Sequence, residues 1–158
     1  MMQAENIIRQ LNDLLHGPVW IDETFDKKFG QLRHDEEAFV QPLLKLHSVA
    51  ALTAHLTVWI DACLDRMNGI ENNIKDNDEN DWQNEDKLLA TGWAGIKAAF
   101  YKAHQRLILF LEEADDKLME KQYLNSTYCH RDIFNGFVQH NAYHLGQIGI
   151  TIKMIRSL

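Results

Sequence analysis

Only two prolines, Pro18 and Pro42, interrupt 158 residues, and the long stretches between turn signals show no period-two alternation. Proline removes a backbone donor and strands need alternation, so a chain with neither habit reads as all-α. The apolar residues recur at spacings of three and four. A first helix is expected from about residue 3 to His16, ended by Gly17-Pro18. A short helix is expected around residues 24–32. The second long helix starts after Ser48, a residue whose hydroxyl suits an N-cap, and ends near Asn68-Gly69. A third is expected over about residues 84–116, weakened at Gly92 and Gly95, and a fourth from just after Ser126-Thr127 almost to Leu158. Four long helices in one domain, residues 1–158, bury their apolar stripes most economically as a four-helix bundle. The connection between the first two is far longer than a tight antiparallel turn, so the long crossover is expected there.

Charge narrows the partners. Sixteen basic against 23 acidic residues leave a net charge of −7, which argues against nucleic acid, whose affinity rests on Lys and Arg neutralising phosphate. Seven acids lie between Glu71 and Asp86 with one base, Lys75. The segment reads as a solvated, poorly packed loop between the second and third helices. Its Asp76-x-Asp78-x-Asn80 opening imitates a calcium loop, but the sixth position is Asp81 where glycine is needed and the twelfth is Lys87 where glutamate is needed. Calcium is therefore rejected. The longest uncharged run, between Asp132 and Lys153, contains Asn135, Gln139, His140, Asn141, His144 and Gln147, which argues against a membrane span. The opening Met-Met-Gln-Ala-Glu-Asn has no basic segment followed by an apolar one, and Cys63 and Cys129 are too few for a disulfide scaffold. A cytoplasmic chain is expected.

The chemistry lies in the histidines. The apolar stripe of the fourth helix reads Ile133, Phe137, His140, His144, Ile148, Ile152, Ile155. His140 and His144 are four apart, so both project from the core-facing side. A buried imidazole needs a partner; a shared metal, or polar groups on neighbouring helices, would supply one. On the second helix His55 lies between Leu52 and Trp59, again on the buried stripe. Three imidazoles from two inner faces can surround one ion and leave a coordination position open, as catalytic sites do. Neutral imidazole suits zinc, nickel, copper or iron without choosing among them. No histidine has a glutamate three residues before it, which argues against a carboxylate-bridged di-iron site. His47 is offset from His55 and reads as a supporting or structural residue. His16, His34, His104 and His130 read as surface or capping residues. Cys63 reads as a buried hydrophobe, and the four tryptophans as core or interface anchors. Gln147 and Tyr143 read either as packing residues or as groups that orient a ligand histidine or a substrate.

The stretch Phe137-Val-Gln-His140-Asn-Ala-Tyr143-His144-Leu-Gly146-Gln147-Ile148 resembles the last-helix signature of the DinB/YfiT-like superfamily. Ser48-Val-Ala-Ala-Leu-Thr-Ala-His55-Leu, followed by Trp59, resembles its second-helix pattern, and Leu14-Leu15-His16-Gly17-Pro18-Val19-Trp20 its first turn. The resemblance implies a four-helix bundle of unusual connectivity, usually a homodimer. It also implies a divalent metal, often nickel or zinc, held by three histidines, here His55, His140 and His144. Some members of that superfamily are transferases or isomerases that use low-molecular-weight thiols. Two functions follow as expectations. One is a metal-dependent enzyme, a thiol transferase or hydrolase acting on a small electrophile. The other is a non-catalytic module that the metal stabilises or that responds to stress. An open coordination position separates them.

Overall fold

The computed structural model describes residues 2–158, and apart from one isolated bridge between Gln122 and Cys129 its regular structure is helical. The elements are α1 (Met2–His16), α2 (Phe25–Phe29), a 3-10 turn (Asp35–Phe39), α3 (Val49–Met67), α4 (Glu85–Glu112), α5 (Asp116–Met119) and α6 (His130–Ile155). Among the described residues, no helix is long and apolar enough to cross a membrane.

Helix ends follow capping chemistry. The Ser48 hydroxyl accepts from the Ala51 amide at 3.2 Å, and the Asn84 side chain accepts from the Lys87 amide at 2.9 Å. α1 stops where the Gly17 amide reaches back to the Asp13 carbonyl at 2.8 Å, with Gly17 at φ +89°. α6 begins later than Ser126-Thr127, because Ser126 spends its hydroxyl on the Tyr123 carbonyl and its cap is instead Cys129, whose amide donates to Asp132 at 2.9 Å.

Two apolar clusters fix the direction of each helix. One gathers Leu14 and Leu15 from the end of α1 and Leu52 and Leu56 from the first half of α3. Leu88, Trp93 and Ile96 join from the start of α4, and Ile148 and Ile152 from the end of α6. The other gathers Ile7 and Leu11, Ile60 and Leu64, Leu107 and Leu111, and Phe134 and Phe137. Hence α1 and α6 run one way and α3 and α4 the other. α3 packs on α4 and α6, and α1 on the same two.

This overturns the expected crossover between the first two long helices. α1 ends and α3 begins at the same end of the bundle. The intervening residues 17–48 are consumed in covering that end: Phe25 and Phe29 of α2 and Ala38 of the 3-10 turn enter the core. The crossover lies between the parallel neighbours α3 and α4. α3 has 19 residues, about 28 Å at 1.5 Å per residue, and residues 68–84 must run back along it. They do: Arg66 near the end of α3 donates to the Asn72 carbonyl at 2.9 Å and the Ile74 carbonyl at 2.6 Å, while Trp59, farther back, donates to Asp81 at 2.7 Å.

A polar layer separates the two clusters. His104 of α4 is 1% exposed, not a surface residue, with Nδ1 2.9 Å from the Phe100 carbonyl and Nε2 3.2 Å from the Asn141 carboxamide. His130 is also buried, on the first turn of α6. Their isolated positions in the sequence concealed burial that comes from neighbours in the folded chain: His104 lies against Phe25, Phe100 and Asn141, and His130 against Tyr123 and Phe134. The core reading of the tryptophans holds for Trp93, whereas Trp20 is 99% exposed.

α4 is kinked at Gly92, which has φ 74° and ψ 157°. That backbone region is essentially closed to residues with a Cβ, although no atom stands within 4 Å of where one would be. Gly92→Ala is therefore expected to destabilise the protein by about 1–3 kcal/mol through backbone strain alone. Urea unfolding of the two proteins checks this, and equal midpoints would contradict it.

Candidate metal centre

α3 supplies His55 and α6 supplies His140 and His144, and the packing of these helices brings the three rings together. His140 Nε2 lies 3.1 Å from His55 Nε2 and 2.9 Å from His144 Nε2. Ligand atoms from all three lie within 4.8 Å of one another. Nitrogens bound at 2.0–2.1 Å to one ion stand about 2.9–3.4 Å apart for bond angles between square and tetrahedral, so the two short separations fit such a centre.

The outer nitrogens decide what the inner ones present. His144 Nδ1 lies 2.5 Å from Gln147 Oε1, while the Gln147 amide nitrogen donates to the Tyr143 hydroxyl at 3.2 Å. The carboxamide oxygen only accepts, so His144 carries its hydrogen on Nδ1 and turns a lone pair inward at Nε2. Gln147 therefore does more than pack: it makes a polar contact to the outer nitrogen of His144. His55 Nδ1 lies 2.6 Å from Asp81 Oδ1. The distance is that of an ion pair, but the angle is outside hydrogen-bond geometry, so this buried nitrogen has no aligned acceptor. With a carboxylate at its outer edge, His55 too offers a lone pair at Nε2. Two lone pairs then converge on His140 Nε2, which can answer one of them with a hydrogen. A Lewis acid at the centre answers all three, so the donor set fits a metal ion.

Electrostatics agree. Burial is the main cause that pushes His140 to a pKa of about 4, reinforced by the two neighbouring imidazoles. Burial likewise pushes His144 to about 4, against the opposing bond from Gln147. Both rings are neutral near pH 7, the form that binds metal. Among the described residues no carboxylate or thiol joins the three rings as a further ligand. Cys63 and Cys129 are free and stand apart from the group, with burial pushing the Cys63 thiol up.

Asp81 and Trp82 were missed in the sequence. The solvated loop expected over residues 71–86 is exposed at Glu71, Asp76, Glu79, Glu85 and Asp86, but Asp81 is 0% exposed. The Asp78 carboxylate accepts from the amides of Lys75, Asn80 and Asp81 at 2.7–2.9 Å, and this turn directs Asp81 inward. Trp82 lies flat between two imidazoles, 4.0 Å from His55 and 3.6 Å from His47 between ring centres. The loop is thus a strap over the site. Its acidity gave no sign of this, since aspartates are usually solvated.

His55 and His140 border a cleft of about 450 Å³. Trp59, Ile133 and Phe137 form its apolar wall, and Asp76, Tyr128, Asp132 and Gln139 its polar rim. A larger hollow of about 550 Å³ lies beside His47 and Leu88 and includes none of the three histidines.

A three-histidine cluster on two helices of an all-α domain defines a class of protein able to hold a metal ion. The DinB superfamily matches residues 23–148, a span that includes all three histidines, and the chain belongs to that superfamily. No curated protein and no solved structure matches the chain.

The depressed histidines carry a stability prediction. His104 is also pushed to about 4 by burial, against an ordinary value of 6.5. Between those values the unfolded chain binds protons that the folded one refuses. Stability is therefore full above about pH 6.5 and declines as pH falls toward 4, with His104 alone contributing about 3 kcal/mol. Urea midpoints of metal-free protein measured from pH 7.5 to 4.5 should fall accordingly. A flat profile would contradict neutral burial of these rings.

Proposed function

We propose that this chain is a metal-dependent enzyme whose centre is His55, His140 and His144. The observation that carries this reading is the convergence of nitrogens from three histidines, two of which, His55 and His140, border a cleft of about 450 Å³. Nitrogen donors without thiolates suit a divalent ion such as zinc or nickel. When bound, such an ion lowers the pKa of a water or thiol that occupies its open position.

The chain's own residues do the rest. Gln147, steadied by Tyr143, holds the ring of His144 with its hydrogen on Nδ1. Trp59, Ile133 and Phe137 bind the apolar part of a small electrophile and keep bulk water from it, and the polar rim orients the remainder. The cleft has the size of a small-molecule site, and the reaction read for it is transfer to or from a low-molecular-weight thiol, with hydrolysis as the variant in which water takes the thiol's place. A module held together by metal would close its coordination with a fourth protein ligand, and no carboxylate or thiol among the described residues joins the three histidines.

His144→Ala removes one nitrogen and the Gln147 contact together. The variant is expected to lose tight zinc and nickel binding and all metal-dependent turnover in a screen of low-molecular-weight thiols against small electrophiles. Full metal occupancy in that variant would overturn the assignment. A cobalt-loaded wild-type protein whose visible spectrum ignores added thiol and azide would replace the enzyme with the metal-stabilised module.

A further inference from the structure

Asp81 is the most deeply buried acid of the acidic segment, at 0% exposure. Burying a carboxylate is costly unless donors and a countercharge surround it. The donors are present. Oδ1 accepts from Trp59 Nε1 at 2.7 Å and Oδ2 from the Asn77 amide at 2.7 Å; His55 Nδ1 stands 2.6 Å from Oδ1 in ion-pair contact, at an angle outside hydrogen-bond geometry. The countercharge is not. Among the described residues, the basic group in ion-pair contact with Asp81 is His55 alone. The Arg66 guanidinium lies 6.0 Å from the Trp59 ring and donates to the carbonyls of Asn72 and Ile74. Lys28, Arg106 and Arg131 pair with other carboxylates. A buried acid, pressed against the outer nitrogen of an imidazole whose inner nitrogen faces the centre, is the arrangement by which proteins aim and strengthen a metal-ligating histidine.

Resting on the metal-centre reading above, we propose that Asp81 is a positioning residue: it holds His55 with its hydrogen on Nδ1 and its Nε2 turned to the ion, and its charge is the counterpart of the cation. Trp82 completes the hold by stacking on the same ring at an interplanar angle of 5°, so successive loop residues fix the edge and the face of His55. The crossover is therefore part of the centre. Because metal binds the state in which Asp81 faces His55, occupancy and closure of residues 68–84 reinforce each other.

Wild-type protein and Asp81→Asn are titrated with zinc, and separately with nickel, against a chromophoric chelator. Wild type is expected to bind one ion per chain, and the variant about 10–100-fold more weakly. Thermal unfolding with and without zinc should show a smaller metal-induced rise in the variant. A purely structural Asp81 would lower the metal-free midpoint and leave the affinity within about twofold of wild type, which would overturn the proposal. Long-range proton–nitrogen NMR of metal-free wild type gives a second readout that needs no folded variant. His55 should show its hydrogen on Nδ1, and a hydrogen on Nε2 would overturn the proposal. Wild type that binds neither zinc nor nickel would instead bring down the metal-centre reading itself, and the positioning role with it. That failure is seen in the wild type and not in the difference between the two proteins.

Discussion

α3 and α4 are consecutive long helices packed side by side and running the same way, and much of the architecture follows from that one constraint. Parallel neighbours cannot share a tight turn. The chain must return along the full length of α3 before α4 can begin, and residues 68–84 make that journey over the surface of the bundle. An extended segment has no helical ladder to satisfy its backbone groups, so side chains must supply partners. Arg66 takes two carbonyls, Asp78 takes three amides and Asn84 caps the next helix. The acidic and amide-rich composition of the segment thus has a local use. Its route passes over the middle of α3, where His55 sits, and there it turns Asp81 and Trp82 inward.

The middle of the bundle is where apolar packing gives way. Leucines and phenylalanines fill both ends, while His55, His104, Asn141 and His144 occupy the layer between them, all buried. A layer of this kind weakens the fold relative to an apolar one unless every polar atom is answered. His104 is answered by Phe100 and Asn141, within protein. The three clustered rings, His55, His140 and His144, face each other with more lone pairs than hydrogens, an imbalance that a bound cation would answer.

Much of this was legible in the sequence, and the reasons differ by residue. The helix limit at Ser48 could be read because capping is a local interaction. His55, His140 and His144 could be read as inward-facing because they interrupt regular apolar stripes. The direction of the third long helix could not be read, since loop length alone does not say whether a connection crosses the bundle or covers one end; residues 17–48 do the latter. Asp81 was illegible for a related reason. Its neighbours Glu79 and Asn80 are exposed and of like character, and what distinguishes it is a turn built by Asp78 and the donors waiting on α3. Gln147 lies between these cases. Its spacing of three from His144 allowed contact, and the hydrogen bond between them is formed.

The contrast between Gln147 and Asp81 has a consequence for how the centre assembles. His140, His144, Gln147 and Tyr143 all belong to α6, so the contacts that orient His144 form with the helix itself. His55 belongs to α3, and both of its supports come from the crossover. Two nitrogens are therefore placed by short-range structure, and the third depends on a segment held by side-chain bonds at the surface. Local stability in proteins is lowest where backbone is exposed and apolar contacts are few, which describes residues 68–84 better than any long helix here. The part of the centre most open to disturbance is consequently the aim of His55, a ring that, with His140, also borders the cleft.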